Sequence, residues 1–183
     1  MKQIIKSLSV VFLFLTLAQS VNASLLLEPY VGYMSGTIKQ NSSSNVTGTD
    51  FGARIGYSTM IGLAFGAEYE GASLTDDASI KSTYTIGDLG AFISFKFPVL
   101  FRVYGTFVPS STVKGSSNIS FNLNKGTSTK LGLGFTGLPF ININLEYYTS
   151  SYTEFEALGI KSTLSPSSTS STIGLGVSAP FYF

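Results

Sequence analysis

Apolar and polar residues alternate with period two in eight stretches: Leu25–Gly36, Asp50–Ser58, Gly62–Gly71, Tyr84–Phe97, Phe101–Phe107, Thr129–Thr136, Phe140–Tyr148 and Ser171–Phe183. Successive side chains of a strand point to opposite faces, so each stretch predicts a β-strand with two unlike sides. The charges they contain are Glu28, Asp50, Arg54, Glu68, Glu70, Asp88, Lys96, Arg102, Lys130 and Glu146, and all sit on the side opposite the apolar residues. The uncharged sides read Leu27-Val31-Tyr33, Phe51-Ala53-Ile55-Tyr57, Leu63-Phe65-Ala67-Tyr69 and Leu89-Ala91-Ile93-Phe95. A soluble sandwich or barrel would turn that side inward. The connections, the aromatic residues and the composition argue for the reverse, an inside-out barrel whose apolar side meets lipid.

The connections alternate between long and short. The long ones are Thr37–Thr49, Ala72–Thr83, Val108–Ser128 and Thr149–Ser170; the short ones are Thr59–Ile61, Pro98–Leu100 and Gly137–Pro139. Short periplasmic turns and long extracellular loops are the arrangement of a small outer-membrane barrel. The long connections are rich in Ser, Thr, Asn and Gly, a composition expected to stay solvated. Alternation persists in Ile119-Phe121-Leu123 and from Tyr152 to Ala157, which predicts that strands six and seven protrude beyond the membrane. A membrane strand takes about 9–11 residues, so eight strands fit and a sixteen-stranded porin does not.

The aromatic residues fall at two levels. Tyr33, Phe51, Tyr69, Phe107 and Tyr147 come to the outer end of the apolar side. Tyr57, Phe95, Phe97, Phe101, Phe135, Phe181 and Phe183 come to the inner end, with a largely aliphatic belt including Ile55, Val103, Ile143 and Leu175 between. Two girdles around such a belt match the two interfaces of a bilayer.

Composition changes the picture in three ways. Lys2 and Lys6, an apolar run from Leu8 to Ala18 and the small residues of Val21-Asn22-Ala23 predict a secretory signal over residues 1–23, cleaved after Ala23. The remaining 160 residues, 24–183, are expected to form one barrel domain, with 9 basic and 10 acidic residues. That balance provides no cationic footprint for nucleic acid. There is no histidine and no cysteine, which removes the imidazole of Ser-His hydrolysis and of most metal sites, together with its thiol substitute. No catalytic, cofactor or metal residue is therefore assigned, and no enzyme is expected.

The charged side of the strands carries the candidate functional residues, a lumen polar network of Glu28, Arg54, Glu68, Asp88, Arg102, Lys130 and Glu146. Eight strands close around an interior that side chains fill, and charges there need partners. Lys130 and Glu146 lie near the outer ends of adjacent strands and should pair, while Arg54 reaches either Glu68 or Glu28. Gly132-Leu-Gly134-Phe-Thr-Gly137 fits a dinucleotide fingerprint, but it lies in a strand and its turn rather than between a strand and a helix. Asp76-Asp77 reads as a solvated acidic turn.

Gly52-Ala-Arg-Ile-Gly-Tyr57, Gly66-Ala-Glu-Tyr69 and the ending Ile173-Gly-Leu-Gly-Val-Ser-Ala-Pro-Phe-Tyr-Phe183 resemble the small eight-stranded outer-membrane barrels of the OmpA/OmpX/Ail type. The resemblance implies an all-β, antiparallel up-and-down transmembrane β-barrel in a bacterial outer membrane, surrounded by lipid and lipopolysaccharide. It implies periplasmic chaperones and the barrel-assembly machinery as partners in biogenesis, with Val177, Phe181 and Phe183 as the C-terminal assembly signal. It departs from the barrel acyltransferases, deacylases and omptins, whose sites use histidine. The role implied is non-enzymatic: external loops for surface contact or adhesion to an unidentified ligand, and a contribution to envelope integrity. The alternative is a small OmpW-like transport barrel for small or hydrophobic solutes.

Overall fold

The structure, a computed structural model, describes residues 23–39, 42–77, 82–116 and 120–183. The secretory-signal reading falls almost wholly on residues 1–22, outside the described residues. Nine strands follow: β1 (Ala23–Lys39), β2 (Ser43–Thr59), β3 (Leu63–Asp76), β4 (Thr83–Lys96), β5 (Phe101–Ser116), β6 (Ser120–Phe135), β7 (Asn142–Ala157), β8 (Ile160–Ser178) and the two-residue β9 (Phe181–Tyr182). From β1 to β8 each strand pairs antiparallel with its neighbour in sequence, and β1 also pairs with β8, from Tyr30↔Ser178 to Lys39↔Thr169, and with β9. The sheet is thereby closed into an eight-stranded up-and-down barrel.

The eighth alternating stretch is interrupted where the sequence read it as continuous. Pro180 has no N–H to donate to a ladder, so β8 ends at Ser178 and the chain resumes as β9. β9 closes the seam against β1, with Leu27 opposite Phe181 and a reciprocal pair of 3.0 Å backbone bonds between Leu25 and Phe183.

The three short connections lie where expected. The four long ones do not remain loops, because most of their residues continue the strands. The reason lies on the inner side of these extensions. Met34, Val46, Leu74, Ile86, Val113 and Leu123 are buried there with Tyr148 and Tyr152, and Ile38, Tyr84, Phe121, Phe155 and Leu164 pack against them. Apolar residues spaced by two among serines and threonines are a weak signal in sequence, yet eight strands pool them into one core. Ser150, Ser168 and Ser170, read as solvated, are buried.

The two sides of the wall therefore exchange polarity along the barrel. In the inner half, the interior is ionic and Val31, Ile55, Ile93, Val103, Ile143 and Leu175 are exposed outside. In the outer half, the interior is apolar and the outside carries Thr49, Ser73, Thr85, Lys114, Thr127 and Thr169. The exchange falls at an irregularity: pairing of β4 with β5 skips between Ile86 and Ala91, and β5 shifts register against β6 after Val108. Pro109, lacking an N–H, sits at that point. At about 3.4 Å per residue and a tilt near 40°, the 16 residues of β5 reach about 40 Å along the axis, against an apolar band about 25 Å tall. About 15 Å of wall thus stands beyond the band, at the end where the chemistry inverts.

Candidate functional site

The inner half of the lumen holds every residue of the predicted polar network, each on the inward side of its strand because each occupies an even-numbered position in register with the next. Cross-strand pairs Glu28↔Arg54, Arg54↔Glu68, Glu70↔Asp88 and Gly132↔Glu146 place the charges in layers.

The innermost layer centres on Arg102, which donates to Glu28 at 2.7 Å, to Asn144 at 2.9 Å and to Ser178 at 3.2 Å. In the middle layer Arg54 donates to Glu68 at 3.0 Å and, across the lumen, to Glu146 at 2.9 Å, with Glu28 3.7 Å away. Its guanidinium lies between two aromatic faces, 4.7 Å from the Tyr30 ring centre and 4.3 Å from that of Tyr104, an arrangement in which ring quadrupoles add to the carboxylate attraction. Thus Arg54 serves both partners foreseen, plus a third from the opposite wall.

Lys130 and Glu146 come within 3.8 Å, but the stronger partners of Lys130 are Glu68 at 2.7 Å and Glu70, with the Tyr30 hydroxyl at 3.2 Å. Neighbouring strands suggest one pairing from sequence; the short diameter of eight strands brings opposite walls within one side-chain length. Asp88 lies apart from these cations. It accepts from Ser111 at 3.0 Å and from Tyr148, forming the boundary between the ionic layers and the outer apolar core.

Sequence reasoning left Thr106, Ser111, Ser178 and Tyr148 out of the network. Thr106 donates to Glu68 at 2.5 Å, and Tyr104 donates to Glu146. Parity was the available signal for Thr106, Tyr148 and Ser178, but small hydroxyls are as common on lipid-free outer walls; Ser111 is odd-numbered and turns inward only because β5 shifts register after Val108. Glycines make the room: a Cβ on Gly132 would run into the Tyr104 ring, and one on Gly52 into that of Tyr30. Gly132 and Gly134 of the fingerprint-like segment therefore serve side-chain packing inside β6.

Six carboxylates, from Glu28, Asp50, Glu68, Glu70, Asp88 and Glu146, share this buried space with three cations, Arg54, Arg102 and Lys130. Asp50, Glu70 and Asp88 each retain a buried oxygen without a hydrogen-bond partner. The cations are thus the scarce members: Arg54 and Lys130 each hold several acids, and Arg102 holds Glu28. No group of metal-ligating residues occurs among the described residues. Beyond the apolar core, Glu154 on the outer extension pairs with Lys125 at 2.8 Å, and this hydrogen bond holds its carboxyl below the usual range. Asp76 accepts from the Ser82 amide at 2.8 Å and from the Tyr84 hydroxyl at 3.3 Å, so it braces the β3–β4 connection.

At the inner end the lumen widens into a 660 Å³ cavity with Arg102, Asn142 and Ser94 toward its floor and Met60, Leu138, Phe140 and Tyr182 at its rim. It does not continue through the barrel, because the ionic layers and then the apolar core fill the space above it.

An eight-stranded closed barrel with an ionic lumen and an apolar outer belt defines the fold of the small outer-membrane barrels. No protein-family model matches the chain, and no curated protein sequence does. Among solved structures, Neisserial surface protein A is 12% identical with a TM-score of 0.67, over 85% of this chain and 97% of its own. Ail, the attachment invasion locus protein of Yersinia pestis, is 16% identical with a TM-score of 0.59, over 86% and 99%. The outer membrane protein OprG from Pseudomonas aeruginosa is 10% identical with a TM-score of 0.54, over 87% and 97%. At these identities the likeness is one of fold.

Proposed function

We propose that this chain is a non-catalytic barrel of a bacterial outer membrane that raises a rigid β-wall above the surface for contact or adhesion. The observation that carries this reading is the exchange of polarity along the barrel. A wall with an apolar filling and a hydroxyl-rich exterior is built to stand in water, and one with an apolar exterior is built to stand in lipid. Joined end to end, they make a membrane anchor with an external display.

The tip of that display is the β7–β8 hairpin, where Leu158 and Ile160 are exposed above the ion pairs of Glu154, Glu156, Lys125 and Lys161. The name of Ail as an attachment protein, and its structure with the heparin analogue sucrose octasulfate, support adhesion as the use of such a surface. Export directed by residues 1–23, and recognition of Val177, Phe181 and Phe183 by the assembly machinery with the help of periplasmic chaperones, belong to this reading. So does contact with lipopolysaccharide around the belt. All three side chains of the ending point outward, where a partner can reach them before insertion.

Cells displaying the protein are expected to bind host cells or glycosaminoglycan-coated surfaces. Replacing Leu158-Gly159-Ile160 by Asn-Gly-Thr should reduce that binding while the folded barrel persists on gels run without boiling. Unchanged binding removes adhesion by this tip. The inner cavity gives the transport alternative its one foothold, and planar-bilayer recording separates the two. A lumen filled at two levels predicts no stable conductance, and discrete channel openings would favour transport.

A further inference from the structure

The three inner-end connections combine three properties that do not belong together in water. Segments 59–62, 97–101 and 135–141 contain no charged residue. Their apolar side chains stand clear of the protein: Met60 is 79% exposed and Phe140 is 89% exposed, with Ile61, Val99 and Leu100 also exposed. Finally, Leu100 and Phe140 hold positive φ of 64° and 66°, a conformation in which a Cβ crowds its own backbone and which glycine or asparagine adopts with less strain. Gly62, at φ 85°, shows that the first connection uses the unstrained solution.

A large apolar side chain kept at a strained position has to gain from what it touches. Phe140 touches almost nothing within the chain, so what it touches lies outside. The surface is continuous with the inner aromatic level, because Phe97, Phe101 and Phe135 flank these connections directly. The connections themselves carry no charge, and the nearest exposed one is Lys96, at the last position of β4. The opposite end is built differently, with Lys39, Asp76-Asp77, Lys114, Glu156 and Lys161 at or near its connections.

We infer that the inner connections are seated in the phospholipid interface of the periplasmic leaflet and do not project into the periplasm, so that the barrel is held low in its membrane with its surplus height all on the outside. The inference rests on the outer-membrane reading above. It makes Met60, Leu100 and Phe140 lipid contacts that set the depth of insertion, as interfacial aromatic and apolar anchors do.

The chain has no tryptophan, so single-tryptophan variants report one site each. Phe140→Trp and Met60→Trp are refolded into dioleoylphosphatidylcholine vesicles, plain or carrying lipid brominated at chain carbons 6 and 7. Ile55→Trp marks the middle of the belt, and Leu158→Trp marks the outer tip. The expected result is strong bromine quenching and weak acrylamide quenching for Phe140→Trp and Met60→Trp, with the opposite for Leu158→Trp. Either inner-end variant tracking Leu158→Trp while Ile55→Trp stays quenched by bromine overturns the inference, whether the turn then meets water or a periplasmic protein. Loss of bromine quenching at Ile55→Trp would instead defeat the membrane reading itself and this inference with it.

Discussion

Arg54 is the hub of the lumen, and replacing it with methionine tests whether the network organises the barrel. The guanidinium is 1% exposed, bonded to Glu68 and Glu146 and near Glu28, between two tyrosine rings. Methionine preserves much of the stem volume but removes the charge. Two buried carboxylates each lose a charged hydrogen bond, at about 1.5–3 kcal/mol apiece. This agrees with the about 3–5 kcal/mol typical of removing one partner from a buried ion pair. Since native domains are stable by only about 5–15 kcal/mol, the loss should be plain in a urea titration of the barrel refolded into phospholipid vesicles, followed by tyrosine fluorescence and by gel mobility without boiling. The triple variant Arg54→Met/Glu68→Gln/Glu146→Gln removes the abandoned charges and should recover most of the loss, a coupling that distant, independent sites would not show. The reasoning is refuted if Arg54→Met unfolds within about 1 kcal/mol of the parent, the size of an exposed ion pair.

Three further outcomes follow from other parts of the barrel. Ile55→Arg, Ile143→Arg or Leu175→Arg puts a charge in the middle of the belt and should cost about 2–4 kcal/mol, read as loss of the heat-modifiable folded band and of insertion into vesicles; equal assembly would contradict a lipid-facing belt. Gly132→Val drives side-chain atoms into the Tyr104 ring and should cost about 1–3 kcal/mol as overpacking, measured by the same titration, whereas a neutral effect would mean the ring is free to leave Arg54. Leu74→Ala hollows the outer apolar core, where Leu74 is 1% exposed. The loss, about 2–5 kcal/mol for a buried leucine, should appear as faster amide exchange confined to residues beyond the polarity exchange; a uniform increase along all strands would mean the two halves open as one unit.

Alternation alone was sufficient to read eight strands, their inward and outward sides, the lumen position of all seven network residues and the three short turns, because a period of two is imposed by the backbone of each strand separately. The expected barrel and its likeness to small outer-membrane barrels agree with the closed sheet and with Neisserial surface protein A, Ail and OprG. What depended on closure was hidden. Lys130 chooses Glu68 and Glu70 over Glu146 because partners come from across a narrow cylinder, and no sequence separation announces that. The long connections became wall because Val46, Leu74, Ile86, Val113 and Leu123, with at most one or two apolar neighbours on their own strands, form a core only when eight strands surround them; only strands six and seven showed in sequence that they run on. Pro180 split the last strand where alternation ran on unbroken. One strand's chemistry is local and can be read along the chain; the partner of a buried charge and the filling of a cylinder are properties of the cross-section, which exists only once the sheet has closed.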